Sequence, residues 1–381
     1  MGFHTALGLT RVINASTTFT ALGGSLMPPE VLDAMREAAG AFVDMHELHA
    51  AAGRRLAELT RNEAAYATSG CAAALVLGVL AARTGGDPRL IGRISEGAAG
   101  EPDIPDEVVM HAAHRIPYDP AVTLAGARVR QIGNVLQTFD WELEAALTER
   151  TAAVLYVAGS HLPPGALPLD QVVRAAHERG VPVIVDAAAQ LPPVSNLWHF
   201  TAEAGADLAV FSGGKALRGP QASGLMVGRA DLVEAARLNG APYQRLARAM
   251  KAGKEEIAGL LAAVQRYVEL DHDALARDWE ATVAHWLAEL SDLPGVTATR
   301  DPLNEAGQPV PRVHLRVDAT PDRVAAAITA LRKDDPAVAV LPDAPLGAAR
   351  GLWLGPDQLQ PGEAEIVTAQ VRRHLGGLAA D

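Results

Sequence analysis

The stretch "LAVFSGGKAL", Leu208 to Leu217, decides how this chain is read. An apolar run stops at a serine and two glycines, a lysine follows, and apolar residues resume. The run has the texture of a strand buried on both faces, ended by a tight turn. The ordinary reading of Lys215 is a surface lysine beyond a strand. The alternative is an amine that forms a Schiff base with a carbonyl. In that case Ser212 helps to hold an anionic group, and Gly213 and Gly214 give the lysine room to reach inward.

The same pattern recurs upstream. "AAYATSG", "PDEVVMHAAH", "GARVRQIG", "TAAVLYVAG", "VPVIVDAAAQ" and, beyond the lysine, "ASGLMVGR" read as strands. "PPEVLDAMREAAGAF", "ELHAAAGRRLAELT", "CAAALVLGVLAAR", "DWELEAALTER" and "DQVVRAAHERG" carry helical spacing. Strands alternating with helices predict a doubly wound, mostly parallel sheet with helices on both faces. From about Glu255 the texture changes. A long helical stretch, "EEIAGLLAAVQRYVELDHDALARDWEATVAHWLAELS", leads to "GVTATR", "PRVHLRVD" and a last helix, "GEAEIVTAQVRRHLGGL". The expectation is a large domain over 1–254 and, over 255–381, a connecting helix with a smaller α+β domain. "SEGAAGEPDIPDE", Ser95 to Glu107, reads as a mobile loop.

Ligands of open α/β sheets sit at the carboxyl ends of the strands, and two further sequences stand out there. In "TSGCAAA" Thr68, Ser69 and Gly70 lie between a strand and a helix N-terminus, an arrangement suited to phosphate. A serine before a helix is more often simply an N-cap. Asp186 closes "VPVIVD", where a carboxylate is costly without a cationic or donating partner. It caps a helix or forms an ion pair, or it faces a protonated ring nitrogen. A phosphate nest, an acid for a ring nitrogen and a Schiff-base lysine are together what one cofactor needs, pyridoxal 5'-phosphate.

The totals are compatible. The chain has 381 residues, enough for about two domains. A net charge of −12 argues against a general nucleic-acid binder, whose footprint is basic. A single cysteine rules out an internal disulfide and a cysteine-based zinc site, so no metal is expected and a cytoplasmic setting fits. No charged start with an apolar run marks a signal peptide, and no apolar run is long enough to span a bilayer.

"RVINASTTFTALGGSLMPPEVLDAM", "SGGKALRGPQASGLMVGR" and "RAMKAGKEEIAGLLAAV" form a more particular pattern. It resembles the selenocysteine synthase-like family of fold type I enzymes, most of all the branch containing D-glucosaminate-6-phosphate ammonia-lyase. The resemblance covers nearly the whole chain, most densely from Arg11 to Ala82 and from Asp186 to Val264. It implies a seven-stranded, mostly parallel sheet, Lys215 as the cofactor lysine and Asp186 as the partner of the ring nitrogen. It also implies Ser69, Gly70 and Ser212 around the phosphate; where a small residue is expected after "TSG" this chain has Cys71, which a buried helix position explains and to which no chemistry is assigned. His114 falls where such enzymes place a ring-stacking side chain, although a loop histidine without a role explains it equally. Gln190 would contact the phenolic oxygen.

Arg245, Arg248, Lys251 and Lys254 are spaced to line one face of a helix. That face is either a solvated basic one or a site for an anionic substrate, for which Arg218, Arg312 and Arg350 also qualify. The family pattern begins by Arg11, leaving no space for the tRNA-binding region of selenocysteine synthases, so selenium transfer to tRNA is not expected.

The reaction implied is α-proton removal and β-elimination from a hydroxylated amino acid or amino sugar acid, giving a 2-oxo acid and ammonia. Aldol cleavage or racemisation of a β-hydroxy amino acid is the alternative. A transaminase comes third, and a non-catalytic pyridoxal phosphate-binding protein last. A homodimer or higher homo-oligomer is expected. Phe42 to Arg55 is either a solvated helix start or a segment that reaches a neighbouring subunit's site.

Overall fold

The computed structural model describes residues 2–97 and 103–378. It contains two compact units, Ser25–Leu270 and Met1–Gly24 with Asp271–Asp381. This division differs from a boundary at residue 254. The helix Lys254–Glu269 falls in the larger unit, because Ile257, Leu260 and Val264 join that unit's core. The first residues fall in the smaller unit, because strand β1 (Val12–Asn14) pairs in parallel with Ala337–Ala339.

The larger unit is built on β2 (Ala64–Thr68), β3 (Glu107–His111), β4 (Arg128–Ile132), β5 (Thr151–Val157), β6 (Val183–Asp186), β7 (Leu208–Ser212) and β8 (Gly224–Gly228). They form one sheet in the order β2-β8-β7-β6-β5-β3-β4. Strands β3 to β7 run parallel. Strand β8 is antiparallel to both its neighbours, so β2 runs with the rest. The carboxyl ends of six strands therefore share one edge of the sheet.

The apolar runs are explained by burial on both faces. Along β3, Val109 joins the core under the helices Met45–Thr60 and Lys254–Glu269, whereas Val108 and Met110 join the core under Cys71–Thr84 and Ala230–Asn239. Val183 and Val185 alternate with Ile184 in the same way. Each such side chain stabilises the fold by about 1.5–3 kcal/mol. The helix Cys71–Thr84 is buried along nearly its whole length. Its Gly78 comes so close to the sheet that a Cβ there would touch Ile184 and Leu208 at 3.4 and 3.5 Å.

The smaller unit holds β9 (Val296–Asp301), β10 (Arg312–Val317), β11 (Ala337–Ala339), β12 (Leu341–Pro342) and β13 (Gly351–Leu354). Four of these form an antiparallel sheet in the order β12-β13-β10-β9. The long helical stretch divides in two. Leu270 ends the first helix, and Asp271 caps His272–Leu290 by accepting from the Ala274 N–H at 2.8 Å. Trp286 and Leu290 of the second helix pack with Ile13, Leu315 and Val338.

One expectation needs correction, and one of two open readings gains support. Arg245 to Lys254 form no helical face: Arg248–Met250 is a single 3-10 turn, and Lys254 begins the next helix after Gly253. In the segment Phe42 to Arg55, Asp44 caps the helix Met45–Thr60 through the N–H groups of His46 and Glu47. His49 is turned inward, 5.1 Å from the Tyr66 ring. Of the loop Ser95 to Glu107, residues 98–102 lie outside the described residues.

Candidate active site

Thr68, Gly224 and Ser212 lie side by side, in register across β2, β8 and β7. The turns "TSG" and "SGGK" therefore leave the sheet as neighbours. A Cβ at Gly224 would sit 2.5 Å from the Gly70 carbonyl carbon and 2.7 Å from the Cys71 nitrogen, so only glycine admits this approach. The buried Thr68 hydroxyl bridges the same place, 3.0 Å from the Gly70 carbonyl and 3.1 Å from that of Gly224.

No side chain caps the helix Cys71–Thr84, whose N-cap is Gly70 rather than Ser69. The Ser69 hydroxyl instead donates to the Met250 carbonyl at 2.9 Å, tying the Arg248–Met250 turn to the nest. The first-turn N–H groups are thus free of side-chain competition, and no described residue partners the Ser212 hydroxyl. Both favour an anion here.

Asp186 ends β6 and is 5% exposed. It pairs with Val157 on one side and Val210 on the other, which centres it in the sheet. Its Oδ1 accepts from the Ala188 N–H at 3.0 Å and from the Cys71 thiol at 3.7 Å. Burial pushes this carboxyl above its ordinary value, while the Ala188 N–H, the nearby Lys215 ammonium and the Cys71 thiol pull it back. Burial, reinforced by Asp186, pushes the thiol well up. The lysine follows β7 in a loop closed by bonds from Arg218 N to the Lys215 carbonyl, 2.9 Å, and from Gly219 N to the Gly213 carbonyl, 2.8 Å. No described residue partners its Nζ.

His114 stands on a 3-10 turn just past β3, buried and edge-on to the Tyr156 ring at 4.4 Å. Its Nδ1 accepts from the Val157 N–H at 3.3 Å, which leaves the proton on Nε2. Burial, helped by His111, depresses its pKa to about 3, so the ring is neutral. His111, 5.1 Å away, is fully buried and partners no described residue through either nitrogen.

Gln190 is buried near the end of β6. A Cβ at Gly159 would strike the His161 ring at 2.4 Å and the Gln190 Nε2 at 2.9 Å, so these two side chains meet over that glycine. His161 did not stand out in the sequence. Its signal was a histidine four residues past the end of β5 in "GSHLPPG".

The basic candidates separate. Arg218 adjoins Lys215 and holds a left-handed φ of 55°. Arg248, on the turn tied to Ser69, has a buried Nε without a partner among the described residues. Lys251 is exposed. Lys254 is committed elsewhere, donating to the Ala38 and Ala39 carbonyls at 2.6 and 2.9 Å. Those carbonyls end the helix Pro29–Ala39, so the ammonium acts as its C-terminal cap. Arg312 belongs to the smaller unit, where it meets Asp301 at 3.2 Å and lies over the Trp353 ring at 3.9 Å.

Pyridoxal 5'-phosphate fits these residues. The uncapped helix N-terminus and the unpartnered Ser212 hydroxyl suit its phosphate. Among the described residues none donates to Oδ2 of Asp186, which suits a protonated ring nitrogen. Lys215, an amine without a partner, suits its aldehyde.

Comparison with known proteins agrees. Residues 105–319 match the family model for aminotransferase class-V. D-glucosaminate-6-phosphate ammonia lyase of Salmonella typhimurium is 35% identical, spanning 82% of each chain. A solved structure of D-glucosaminate-6-phosphate ammonia-lyase superposes with a TM-score of 0.83 at 31% identity, covering 100% of this chain and 99% of the other. A Streptomyces protein, 5'-C-glycyluridine monooxygenase-decarboxylase, is 36% identical over 100% of this chain and 88% of its own. Fold and site together define a pyridoxal 5'-phosphate-dependent enzyme of fold type I. The chain belongs to the aminotransferase class-V family, in keeping with the resemblance carried by its motifs.

Proposed function

We propose that the enzyme removes the α-proton of a hydroxylated amino acid or amino sugar acid and eliminates its β-hydroxyl, giving a 2-oxo acid and ammonia. The observation that carries this reading is the likeness to the ammonia lyase, sustained over the whole fold at a TM-score of 0.83. When bound, the cofactor supplies an aldehyde for the substrate amine and a ring that withdraws electrons from the adjoining carbon. Lys215 would hold the cofactor and, once the substrate amine has displaced it, take the α-proton on Nζ. It gives that proton to the β-hydroxyl, which leaves as water. Lys215 would then take the cofactor back, releasing the enamino acid, which takes up water and gives up ammonia. Asp186 keeps a proton on the ring nitrogen through Oδ2, and the nest around Gly70 and Ser212 holds the phosphate. Gln190 would support the phenolic oxygen, and His114 would pack against the ring.

The substrate is a small anion, steered by Arg218 and Arg248 as the basic side chains adjoining the lysine loop and the nest. The reading includes a cytoplasmic setting. Among the described residues, no helix is long and apolar enough to cross a membrane. A homodimer is part of the same reading, supported by exposed Leu26, Phe42 and Val43 in the larger unit.

The Streptomyces relative favours a second reading, in which an amino acid loses its carboxylate in an oxygen-consuming reaction. One assay separates the two. The holoenzyme is given D- and L-hydroxy amino acids and phosphorylated amino sugar acids, while ammonia, 2-oxo acid, aldehyde, CO2 and oxygen uptake are followed. Ammonia and 2-oxo acid in equal amounts, without oxygen uptake or an amino acceptor, are expected. Oxygen consumed with release of CO2 would establish the second reading, and an aldehyde would establish aldol cleavage. Borohydride should fix the cofactor to a peptide containing Lys215, and its appearance on any other peptide would overturn the assignment.

A further inference from the structure

Cys71 is the only cysteine of the chain and the first residue of the helix Cys71–Thr84. Buried cysteines usually act as small apolar side chains. This one has a specific neighbour: its Sγ lies 3.7 Å from Oδ1 of Asp186, 115 residues away in sequence. The Ala188 N–H reaches the same oxygen at 3.0 Å. No described residue donates to Oδ2.

We propose that Cys71 is a positioning residue. Its S–H and the Ala188 N–H together tie down Oδ1, so that Oδ2 is the oxygen presented to the cofactor ring.

The proposal rests on the reading of Asp186 as the partner of the ring nitrogen. A carboxylate turns about its Cβ–Cγ bond, a broad and soft rotation. Two donors converging on one oxygen stop that rotation and leave charge on the other. The thiol keeps its proton because burial and the neighbouring carboxylate both oppose its loss, so it acts as donor and not as nucleophile. Its position is fixed in turn by the close approach of Gly224 to the nest. One residue therefore links the helix start that holds phosphate to the acid that faces the ring.

The single cysteine makes the test clean, since the S–H stretch in the infrared spectrum reports on Cys71 alone. In the apoprotein that band should sit at the lower frequency of a hydrogen-bonded thiol and return to the free-thiol frequency in Asp186→Ala. For the holoenzyme, Cys71→Ala, Cys71→Ser and Asp186→Asn are compared by cofactor titration and by the pH dependence of cofactor absorbance. Cys71→Ala should weaken cofactor binding about three- to tenfold, the worth of one hydrogen bond, and should shift the absorbance profile. Cys71→Ser should restore both. A free-thiol band in the wild-type apoprotein would overturn the proposal even if no variant folded. So would a Cys71→Ala enzyme with unchanged binding and profile, or a Cys71→Ser enzyme as impaired as the alanine variant. If Asp186→Asn is impaired while Cys71→Ala is normal, only the thiol's role fails. If Asp186→Asn is normal as well, the reading of Asp186 fails.

Discussion

Thr68 and Ser212 pair with the same residue, Gly224, from opposite sides. This happens because β8 runs antiparallel between two strands that are parallel to each other. The turn after Thr68 makes the proposed phosphate nest, and the turn after Ser212 carries Lys215. Two pieces of the site, far apart in the chain, are thereby set one strand's width to either side of a glycine.

Gly224 should consequently be intolerant of a side chain. In Gly224→Ala the new carbon would lie 2.5 Å from backbone at Gly70, and backbone cannot rotate away as a side chain can. The expected cost is about 1–3 kcal/mol of stability, as for overpacking elsewhere. Cofactor affinity should fall at least about tenfold, because a displacement costing 1.4 kcal/mol at the nest already gives that factor. Denaturant melts and cofactor titration measure the two effects. Normal cofactor binding would show that the nest does not depend on this approach.

Asp186→Asn should act in opposite directions on the apoprotein and the holoenzyme. Burial raises the carboxyl above its ordinary 3.8, so the folded chain holds this proton more tightly than the unfolded chain does. The contribution to stability is full below about 3.8 and is lost as pH rises through the higher folded value. Ionising the buried Asp186 as pH rises therefore weakens the apoprotein. The apo Asp186→Asn variant should melt at or above the wild-type temperature, by a margin that grows as pH rises above about 4. The holoenzyme variant should lose about 100-fold or more in the rate of α-proton exchange, each tenfold being 1.36 kcal/mol. A lower apo melting temperature at pH 7 would contradict the first expectation, and a near-normal exchange rate would place another group at the ring.

The strands were legible in the sequence because burial on both faces leaves unbroken apolar runs, which Asp186 and Lys215 interrupt at their ends. The length of the apolar periodicity across residues 255–291 hid the break that Asp271 caps, and Ser69, for which capping was the ordinary reading, does not cap its helix. What stayed hidden was non-local. Nothing near Val12 announces its pairing with Ala337, and nothing near Cys71 announces Asp186. Charge spacing alone misled at Arg245 to Lys254. A three-residue rhythm also fits a turn followed by a helix start, and the rhythm does not show that Lys254 is needed at the carbonyls of Ala38 and Ala39.

Arg248 and Lys254, once grouped together, should now behave differently. Arg248→Ala removes a guanidinium whose Nε is buried without a partner beside the nest. The KM for an anionic substrate should rise about tenfold or more, the range of one hydrogen bond to a charged group, about 1.5–3 kcal/mol. Lys254→Met keeps the stem and removes the cap. It should lower stability by about 1–2 kcal/mol with KM unchanged. Steady-state kinetics and thermal melts of both variants decide this. A raised KM in Lys254→Met with unaltered stability would reverse the two roles.

The proposed homodimer makes a prediction at Phe42. The ring is fully exposed, and Val43 beside it is 46% exposed, just before Asp44 caps the helix Met45–Thr60. Two adjacent apolar side chains in water at a helix entrance are costly unless something covers them, and a second copy of the chain would bury them. The segment also lies in the region where the resemblance suggested a reach toward a neighbouring site. Light scattering on the wild type should give twice the 39.8 kDa of one chain, or a higher even multiple. Phe42→Asp should shift the mass toward the monomer, because a buried, unpaired carboxylate opposes association. Activity per chain should fall as the monomer accumulates if the sites are shared. It should stay constant if association only covers the apolar pair. A wild-type monomer with full activity would remove the dimer from the proposal. A dimer untouched by Phe42→Asp would move its interface to another surface.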